Sequence, residues 1–268
     1  MPKLLNEVSI IMKYIDKSRT AFTLAEVLIT IGIIGIVAAL TIPNLLVQHR
    51  ERANISKLKT VYSTITQAYT RAVTEFGTPE FWELEEQNSR TGAANIAALL
   101  SPYFNVTQNC KADGGCWYDG VIQGLNGDTS GPNFFSNTSY SSFTTVDGIQ
   151  FAFNVEEPQC KGVFGTSMPL ENVCATFTVD VNGKKHPNQY GYDVFKFYIT
   201  KYGIQPYGLN TDTSYSFTEN CNKSHSGYGC AAWAIFKSNM DYLHCGGLQW
   251  DGKDKCKIFD NQKYNTDL

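Results

Sequence analysis

The sequence predicts an α+β protein in which one long N-terminal helix packs on an antiparallel sheet, with a cysteine-rich C-terminal extension. Three observations predict it. Residues 22–47 are almost uniformly apolar, residues 55–76 carry apolar side chains at helical spacing, and the region after residue 148 alternates β-type runs with turn residues. With 43% hydrophobic and 18% charged residues among 268, a packed core is expected.

The apolar run follows a short basic segment, residues 1–21. Its four basic and two acidic residues give it a net charge of +2: Lys3, Lys13, Lys17 and Arg19 against Glu7 and Asp16. Basic residues before an apolar span favour a cytoplasmic N-terminal side, so the rest of the chain is expected outside the cytoplasm. Both Met1 and Met12 are candidate translation starts.

The apolar run is long enough to span a membrane. Its 26 residues exceed the roughly 20 that a helix needs to cross a hydrocarbon core. A secretory signal peptide fits poorly, because the run is too long and no small-x-small cleavage site follows it. A plain single-pass anchor explains everything except Glu26, since a carboxylate within an apolar span costs about 2.5–3.5 kcal/mol on insertion scales.

The segment AFTLAE, from Ala21 to Glu26, resembles the processing site of type IV prepilins and type II secretion pseudopilins. In that family a prepilin peptidase removes a basic leader just before a Phe, the new N-terminus is methylated, and an acid stands four residues further on. Phe22 and Glu26 match this pattern. Ala21 departs from it, because the family usually has Gly before the cut.

The resemblance extends over about residues 17–76. Pro43 lies where the family commonly has Pro, and Gly32 and Gly35 resemble its small-residue interruptions. Each Gly weakens a helix by about 1 kcal/mol relative to Ala, and Pro removes a hydrogen bond. The stretch 32–43 is therefore where the helix is expected to bend or unfold locally, as the corresponding stretch does in filaments of the family.

The resemblance also implies a role for Glu26. In a filament the N-terminal helices pack side by side, and the Glu26 carboxylate would pair with the Phe22 amine of a neighbouring subunit. Misaligned subunits would leave both charges unpaired in an apolar core, which sets the register. The implied partners are other pilin or pseudopilin subunits, the prepilin peptidase and methylase, and an inner-membrane assembly platform.

The apolar run continues into an amphipathic stretch that Gly77-Thr78-Pro79 ends. Its apolar positions alternate spacings of three and four: Ile55, Leu58, Tyr62, Ile65, Tyr69, Ala72 and Phe76. Packing on a sheet is favoured over a coiled coil, because aromatic residues and Ala suit that surface. The predicted organisation is a leader at 1–21, a transmembrane or filament-core helix at 22–47, an amphipathic helix at 48–76 and an exported domain at 77–268.

The exported domain is predicted to contain an antiparallel meander. Its clearest strands are Ile149–Phe153, Ala175–Val181 and Val194–Ile199. Residues 78–148 are expected to be a variable connection between helix and sheet, and residues 203–268 a cysteine-rich extension.

The segment around Asn182-Gly183 carries two interpretations. Asp180, Asn182 and Asp193 are candidate calcium ligands, because calcium prefers oxygen ligands and some major pseudopilins bind it in ectodomain loops. The spacing is not that of an EF-hand. A turn in which Asx side chains bind the backbone is the favoured alternative, so no cofactor is required and calcium is a secondary expectation.

The eight cysteines predict disulfides, because they form an even set in an oxidising compartment. The simplest connectivity joins nearest neighbours: Cys110 with Cys116, Cys160 with Cys174, Cys221 with Cys230, and Cys245 with Cys256. A zinc site is the weaker alternative, because the paired C-x₂₋₄-C elements are missing. Its ligands would come from Cys221, His225, Cys230, His244 and Cys245.

The sequence gives no sign of an enzyme, because G-x-S-x-G, H-E-x-x-H and phosphate-loop motifs are absent. After loss of residues 1–21 the net charge is −3 − 2 = −5, which disfavours nonspecific DNA binding. The leading hypothesis is a structural, minor or specialised subunit of a type IV pilus or type II secretion pseudopilus. The alternatives are a filament-presented binding module, such as an adhesin or a DNA-uptake or secretion-substrate receptor, and an anchored exported protein unrelated to filaments.

Overall fold

The computed structural model describes residues 22–111, 113–129, 131–252 and 257–258. The chain divides into two compact units, one ending at Gln48 and the other beginning at His49. Helix α1, Leu24–Phe76, runs through both. The predicted leader, residues 1–21, lies outside the described residues, and the predicted domain boundaries remain predictions.

The C-terminal unit is an α+β domain, which confirms the predicted class. Besides α1 it contains the helices α2 (Arg90–Leu100), α3 (Phe217–Asn220) and α4 (Ala231–Phe236). One antiparallel sheet has the order β1-β2-β3-β4-β5-β6, with strands Val106–Lys111, Ser141–Thr145, Gln150–Val155, Val173–Asp180, Val194–Thr200 and Gly203–Pro206. A second, two-stranded sheet pairs β7 (Cys245–Gly246) with β8 (Lys257–Ile258).

The amphipathic part of α1 packs on this sheet rather than forming a coiled-coil surface. Leu58, Ile65 and Ala72 are fully buried in the main core. Tyr62 stacks on Phe197 of β5 at a ring-centroid distance of 6.0 Å. The helix face predicted from the 3/4 spacing is therefore the face that meets the sheet. Phe76 is the exception, since 47% of its surface is exposed.

The helix ends as the sequence predicts. Gly77 adopts a left-handed φ of 81° and its N–H donates to the carbonyl of Val73 at 3.0 Å. This closes the last turn in the manner of a glycine C-cap. Pro79 then begins a short 3₁₀ turn, and the indole of Trp82 donates to the carbonyl of Gly77 at 2.9 Å.

The expectation that residues 78–148 merely connect helix and sheet is wrong. This stretch supplies α2 and the first two strands of the sheet. Helix α2 is capped by Ser89, whose Oγ accepts from the N–H of Gly92 at 3.0 Å. Strand β1 reads VTQNCK with mostly exposed side chains, so its sequence lacks the apolar alternation that identifies a strand.

Loops cover the face of the sheet that lies opposite α1. The largest buried side chains there include Trp117, Tyr190, Tyr198 and Tyr207. The Trp117 indole donates to the carbonyl of Phe151 at 3.0 Å. Strands β3, β4 and β5 are consequently buried on both faces, which explains their nearly continuous burial.

Disulfides fasten these loops. The structure contains Cys110–Cys116, Cys160–Cys174 and Cys221–Cys230, which are three of the four nearest-neighbour pairs. Cys245 is also disulfide-bonded, and its predicted partner Cys256 lies outside the described residues. The zinc alternative is wrong for Cys221 and Cys230, because a disulfide leaves no thiolate to bind a metal.

We expect Ile65→Ala to destabilise the domain by about 2–5 kcal/mol, because it opens a cavity between α1 and the sheet. Phe76→Ala should cost less than about 1 kcal/mol, although it removes more atoms, because Phe76 is half exposed. Chemical denaturation of both variants measures the difference. Equal losses at the two positions would contradict the packing described for α1.

Candidate functional site

The first turn of α1 is closed by a capping box formed by Thr23 and Glu26. The Glu26 carboxylate oxygen Oε2 accepts from the backbone N–H and the hydroxyl of Thr23, both at 2.8 Å. In return, Thr23 Oγ1 accepts from the N–H of Glu26 at 3.2 Å. This S/T-x-x-E arrangement satisfies helix N–H groups that would otherwise lack partners.

Glu26 therefore has a partner within its own chain, Thr23. The sequence reasoning did not include this contact, although the T-x-x-E pattern is typical of a capping box. One carboxylate oxygen forms the cap, and no hydrogen bond to Oε1 occurs among the described residues. The carboxylate can thus serve the cap through Oε2 and a further donor through Oε1. Phe22 lies beside it with 82% of its surface exposed, while Ala21 lies outside the described residues.

The apolar side chains that follow are exposed. No other described residue of the N-terminal unit covers them. Among the described residues, α1 is the one helix that is long and apolar enough to cross a membrane. The large apolar residues concerned are Phe22, Leu24, Val27, Leu28, Ile29, Ile31, Ile33, Ile34, Ile36, Val37, Leu40, Ile42, Leu45 and Leu46. Such a surface needs lipid or other apolar helices to cover it.

The predicted flexible stretch is helical in this structure. Pro43 lies inside α1, and a side chain at Gly32 or Gly35 would meet nothing within 4 Å. The Thr41 hydroxyl donates back to the carbonyl of Val37 at 2.9 Å, the bond by which a helix accommodates Thr in an apolar setting. Bending or local unfolding over 32–43 stays a prediction for the assembled state.

Comparison with known proteins identifies the class of this site. Residues 16–42 match the family described as the prokaryotic N-terminal methylation motif, which is the prepilin-type cleavage and methylation signal of type IV pilins and pseudopilins. The match includes Phe22, Glu26, Gly32 and Gly35, as the resemblance in the sequence indicated. The chain is thus a protein with a prepilin-type N-terminus on a pilin-like α+β fold.

No curated protein matches the chain significantly. No solved structure does so either.

The loop between β4 and β5 brings the calcium candidates together. Asp180 and Asp193 are both fully buried. Asp180 Oδ1 accepts from the N–H groups of Asn182 at 2.9 Å and Gly183 at 2.7 Å, which forms the Asx turn that the alternative interpretation predicts. Gly183 has a φ of 71°, and a Cβ there would lie 2.4 Å from the carbonyl of Gly148.

Asp193 is held by the same loop. Its Oδ1 accepts from the N–H of Gln189 at 2.6 Å, and its Oδ2 accepts from the N–H of Asn188 at 3.1 Å and from the amide of Asn182 at 2.9 Å. The Asn188 amide, oriented so that both its ends are satisfied, donates to Asp180 Oδ2 and the carbonyl of Gly183, each at 3.0 Å. Both carboxylates are therefore hydrogen-bonded acceptors.

Burial raises the pKa of both carboxyl groups. Desolvation raises the pKa of Asp193 to about 7, although the N–H groups of Gln189 and Asn188 act in the opposite direction. Desolvation, followed by the nearby Asp193 charge, raises the pKa of Asp180 well above its usual range. Two carboxylates in one dry loop repel each other, so a proton or another cation is favoured there.

The three predicted calcium ligands fit the ion poorly in this arrangement. Asn182 turns its N–H₂ group, not its oxygen, toward Asp193, and its buried Oδ1 finds no partner among the described residues. Those residues also include no group of three or more His, Cys, Asp or Glu side chains placed to hold a metal. The geometry favours the hydrogen-bonded turn, and calcium remains a prediction to be tested.

We expect the melting temperature to fall as the pH rises from about 5 to about 8. Because the folded-state pKa values are raised, the folded chain binds more protons than the unfolded chain in this interval; the stabilisation is complete below the unfolded value of 3.8 and is lost through about 7. Differential scanning calorimetry of the chain in detergent measures the fall. Asp180→Asn should reduce it, whereas Asp147→Asn, at an exposed turn, should leave it unchanged.

The same calorimetric measurement also tests calcium binding. At about pH 8, which is above the raised pKa of Asp193, we expect equal melting temperatures with calcium and with a chelator, because the carboxylate oxygens of Asp193 already accept from N–H donors. A melting temperature raised by calcium in the unaltered chain, but not in Asp180→Asn, would establish the calcium site instead.

Proposed function

We propose that this chain is a structural subunit of a type IV pilus or a type II secretion pseudopilus. It is cleaved between Ala21 and Phe22, methylated on Phe22, and assembled through the N-terminal part of α1. The observation that carries this proposal is the prepilin-type signal at residues 16–42 followed by an exposed apolar helix. A filament core of packed helices supplies the cover that this surface lacks within its own chain.

The capping box refines the proposed role of Glu26. Before cleavage, Thr23 is joined to Ala21 through Phe22, and Glu26 caps the helix. After cleavage, a positive amine appears on Phe22. Glu26 Oε1 can then accept a hydrogen bond from the amine of a neighbouring subunit while Oε2 keeps the cap. One side chain thus serves both contacts.

The size of the exported domain supports a minor or specialised subunit. Its sheet is covered on both faces, and disulfide-linked loops and the C-terminal segment extend well beyond one helix on one sheet. This elaboration suits a subunit present in few copies, because a crowded shaft favours small repeating domains. A structural role without catalysis follows from the same class of protein.

The proposed location is the inner membrane, with the exported domain outside the cytoplasm, and then a periplasmic or extracellular filament. The basic leader and the span support this orientation. The proposed partners are other pilin or pseudopilin subunits, the prepilin peptidase with its methylase activity, and the assembly platform.

A filament-presented binding module is the second candidate function. The observation that favours it is the cysteine-rich end, where a cleft of about 370 Å³ lies beside Cys221, Cys245 and Tyr242. A pulldown that recovered secreted cargo or a surface ligand rather than filament subunits would favour this function. The net charge of −5 without residues 1–21 makes DNA the weaker ligand class.

Substitution of Glu26 tests the structural-subunit function. We expect Glu26→Leu and Glu26→Ala to insert and to be cleaved but to stay out of filaments, because they lose both cap and charge. Glu26→Gln separates the two roles, since Gln at this position keeps the capping box. If the intersubunit ion pair governs assembly, Glu26→Gln is also excluded from filaments.

The measurement is immunoblotting of sheared filament and membrane fractions, with leader removal read from gel mobility. Thr23→Val is the matched control, because it removes the hydroxyl of the cap and keeps the charge. Normal incorporation of Glu26→Leu would contradict the assembly role. Normal incorporation of Glu26→Gln with loss of Thr23→Val would assign the role to the cap alone.

A further inference from the structure

A basic cleft of about 410 Å³ lies at the start of the C-terminal unit, between the first turns of α1 in that unit and the β4–β5 loop. Its helix side presents His49, Arg50 and Asn54, and its loop side presents Lys185 and His186. Tyr192 also lines the cleft, and its carbonyl accepts from the side-chain amide of Asn54 at 3.1 Å. The cleft is distinct from the capping box and from the disulfide-linked end.

The cleft carries two cations, Arg50 and Lys185. Arg50 and Lys185 are exposed, and neither takes part in the three ion pairs found among the described residues. Among the described residues, no Asp or Glu lines the cleft. Two acids that neighbour lining residues in the chain are already engaged: Glu51, next to Arg50, pairs with His244 at 2.8 Å, and Asp193, next to Tyr192, accepts three N–H bonds.

This positive charge is local. The chain without residues 1–21 carries a net charge of −5, so the exported domain as a whole repels anions. A concentration of cations in one concave surface on such a background indicates a particular anionic ligand. An Arg fork on one wall and a Lys ammonium on the other suit the oxygens of a single phosphate group.

The position of Arg50 in the chain indicates where that phosphate comes from. Arg50 follows Val47, the last residue of the apolar run, by three residues, which cover about 4.5 Å in a helix and at most about 11 Å when extended. The polar layer on each side of a bilayer is about 5–8 Å thick. A chain anchored by its apolar run therefore keeps Arg50 at the level of the lipid headgroups.

We propose that this cleft binds the phosphate of an anionic phospholipid headgroup in the outer leaflet of the inner membrane. The inference rests on the membrane-anchored state in the proposed function. Binding holds the unassembled subunit against the bilayer surface through Arg50 and Lys185. Entry into a filament exchanges this phosphate for solvent or for a neighbouring subunit, so the lipid contact belongs to the waiting subunit.

The test uses the full mature chain in non-ionic detergent, titrated with short-chain phosphatidylglycerol and followed by its melting temperature. A ligand that binds the folded state raises that temperature by mass action. We expect phosphatidylglycerol to raise it in low salt, and less so in high salt. Zwitterionic phosphatidylcholine should have little effect, and inorganic phosphate should need a far higher concentration.

Paired variants supply the specificity control. Arg50→Gln with Lys185→Gln should weaken the apparent affinity for phosphatidylglycerol about 25-fold, since each cation near a lipid surface contributes about five-fold. Lys111→Gln with Lys161→Gln makes the same change in net charge at exposed positions outside the cleft, and it should bind as the unaltered chain does.

Three results would overturn the proposal. Equal binding by the two paired variants would place the lipid elsewhere, and equal effects of inorganic phosphate and phosphatidylglycerol would define a free-anion site. A photoreactive residue at position 186 that crosslinks to a second subunit in native membranes, and not to lipid, would make the cleft a protein interface. Leader removal, read on the native-membrane samples of the crosslinking experiment, reports separately on the proposed function, because it does not depend on Arg50 or Lys185.

Discussion

One uninterrupted helix must satisfy two different environments, and the rest of the structure follows from this constraint. The described residues of α1 before His49 expose nearly all their apolar side chains, whereas those from Ile55 onward bury one face against the sheet. Apolar exposure on that scale is unfavourable in water, so the N-terminal unit requires lipid or neighbouring helices. The C-terminal unit, by contrast, has a complete core of its own.

The same constraint gives the first turn its importance. A helix that starts in an apolar environment has N–H groups that no water can satisfy. Thr23 and Glu26 meet this need within the chain, which explains a carboxylate at this position before any partner arrives. In the proposed function the charge of Glu26 also serves assembly, so that two separate roles would require the same residue.

Much of the fold could be predicted from the sequence, because the spacing of apolar residues along a helix or strand indicates which of its faces is buried. The 3/4 spacing from Ile55 to Ala72 and the β-rich runs of β3, β4 and β5 report faces that pack in the core. Strands β1 and β2 were not predicted, because hydrogen bonding to neighbouring strands, and not their amino-acid composition, makes them strands. Phe143 is the one large apolar side chain of β2, and β1 is largely exposed at the sheet edge.

The candidate sites also differ in how far the sequence predicts them. The processing signal is a contiguous motif, so Phe22 and Glu26 can be identified from the sequence alone. The Asx turn at Asp180 is likewise predicted from the sequence. The contacts of Asp193 are not, because its donors lie at positions whose φ angles and amide orientations appear only in three dimensions. The basic cleft likewise joins Arg50 to Lys185, which are far apart in the chain.

The most direct test of this account is the N-terminal residue and the intact mass of the protein purified from its own membranes. The account predicts a chain that begins at Phe22 and carries one added methyl group. That result would commit the protein to a filament system, whatever the machine exports or imports. A chain that retained its leader would contradict the account, and it would leave an anchored exported domain whose Glu26 serves the helix cap alone.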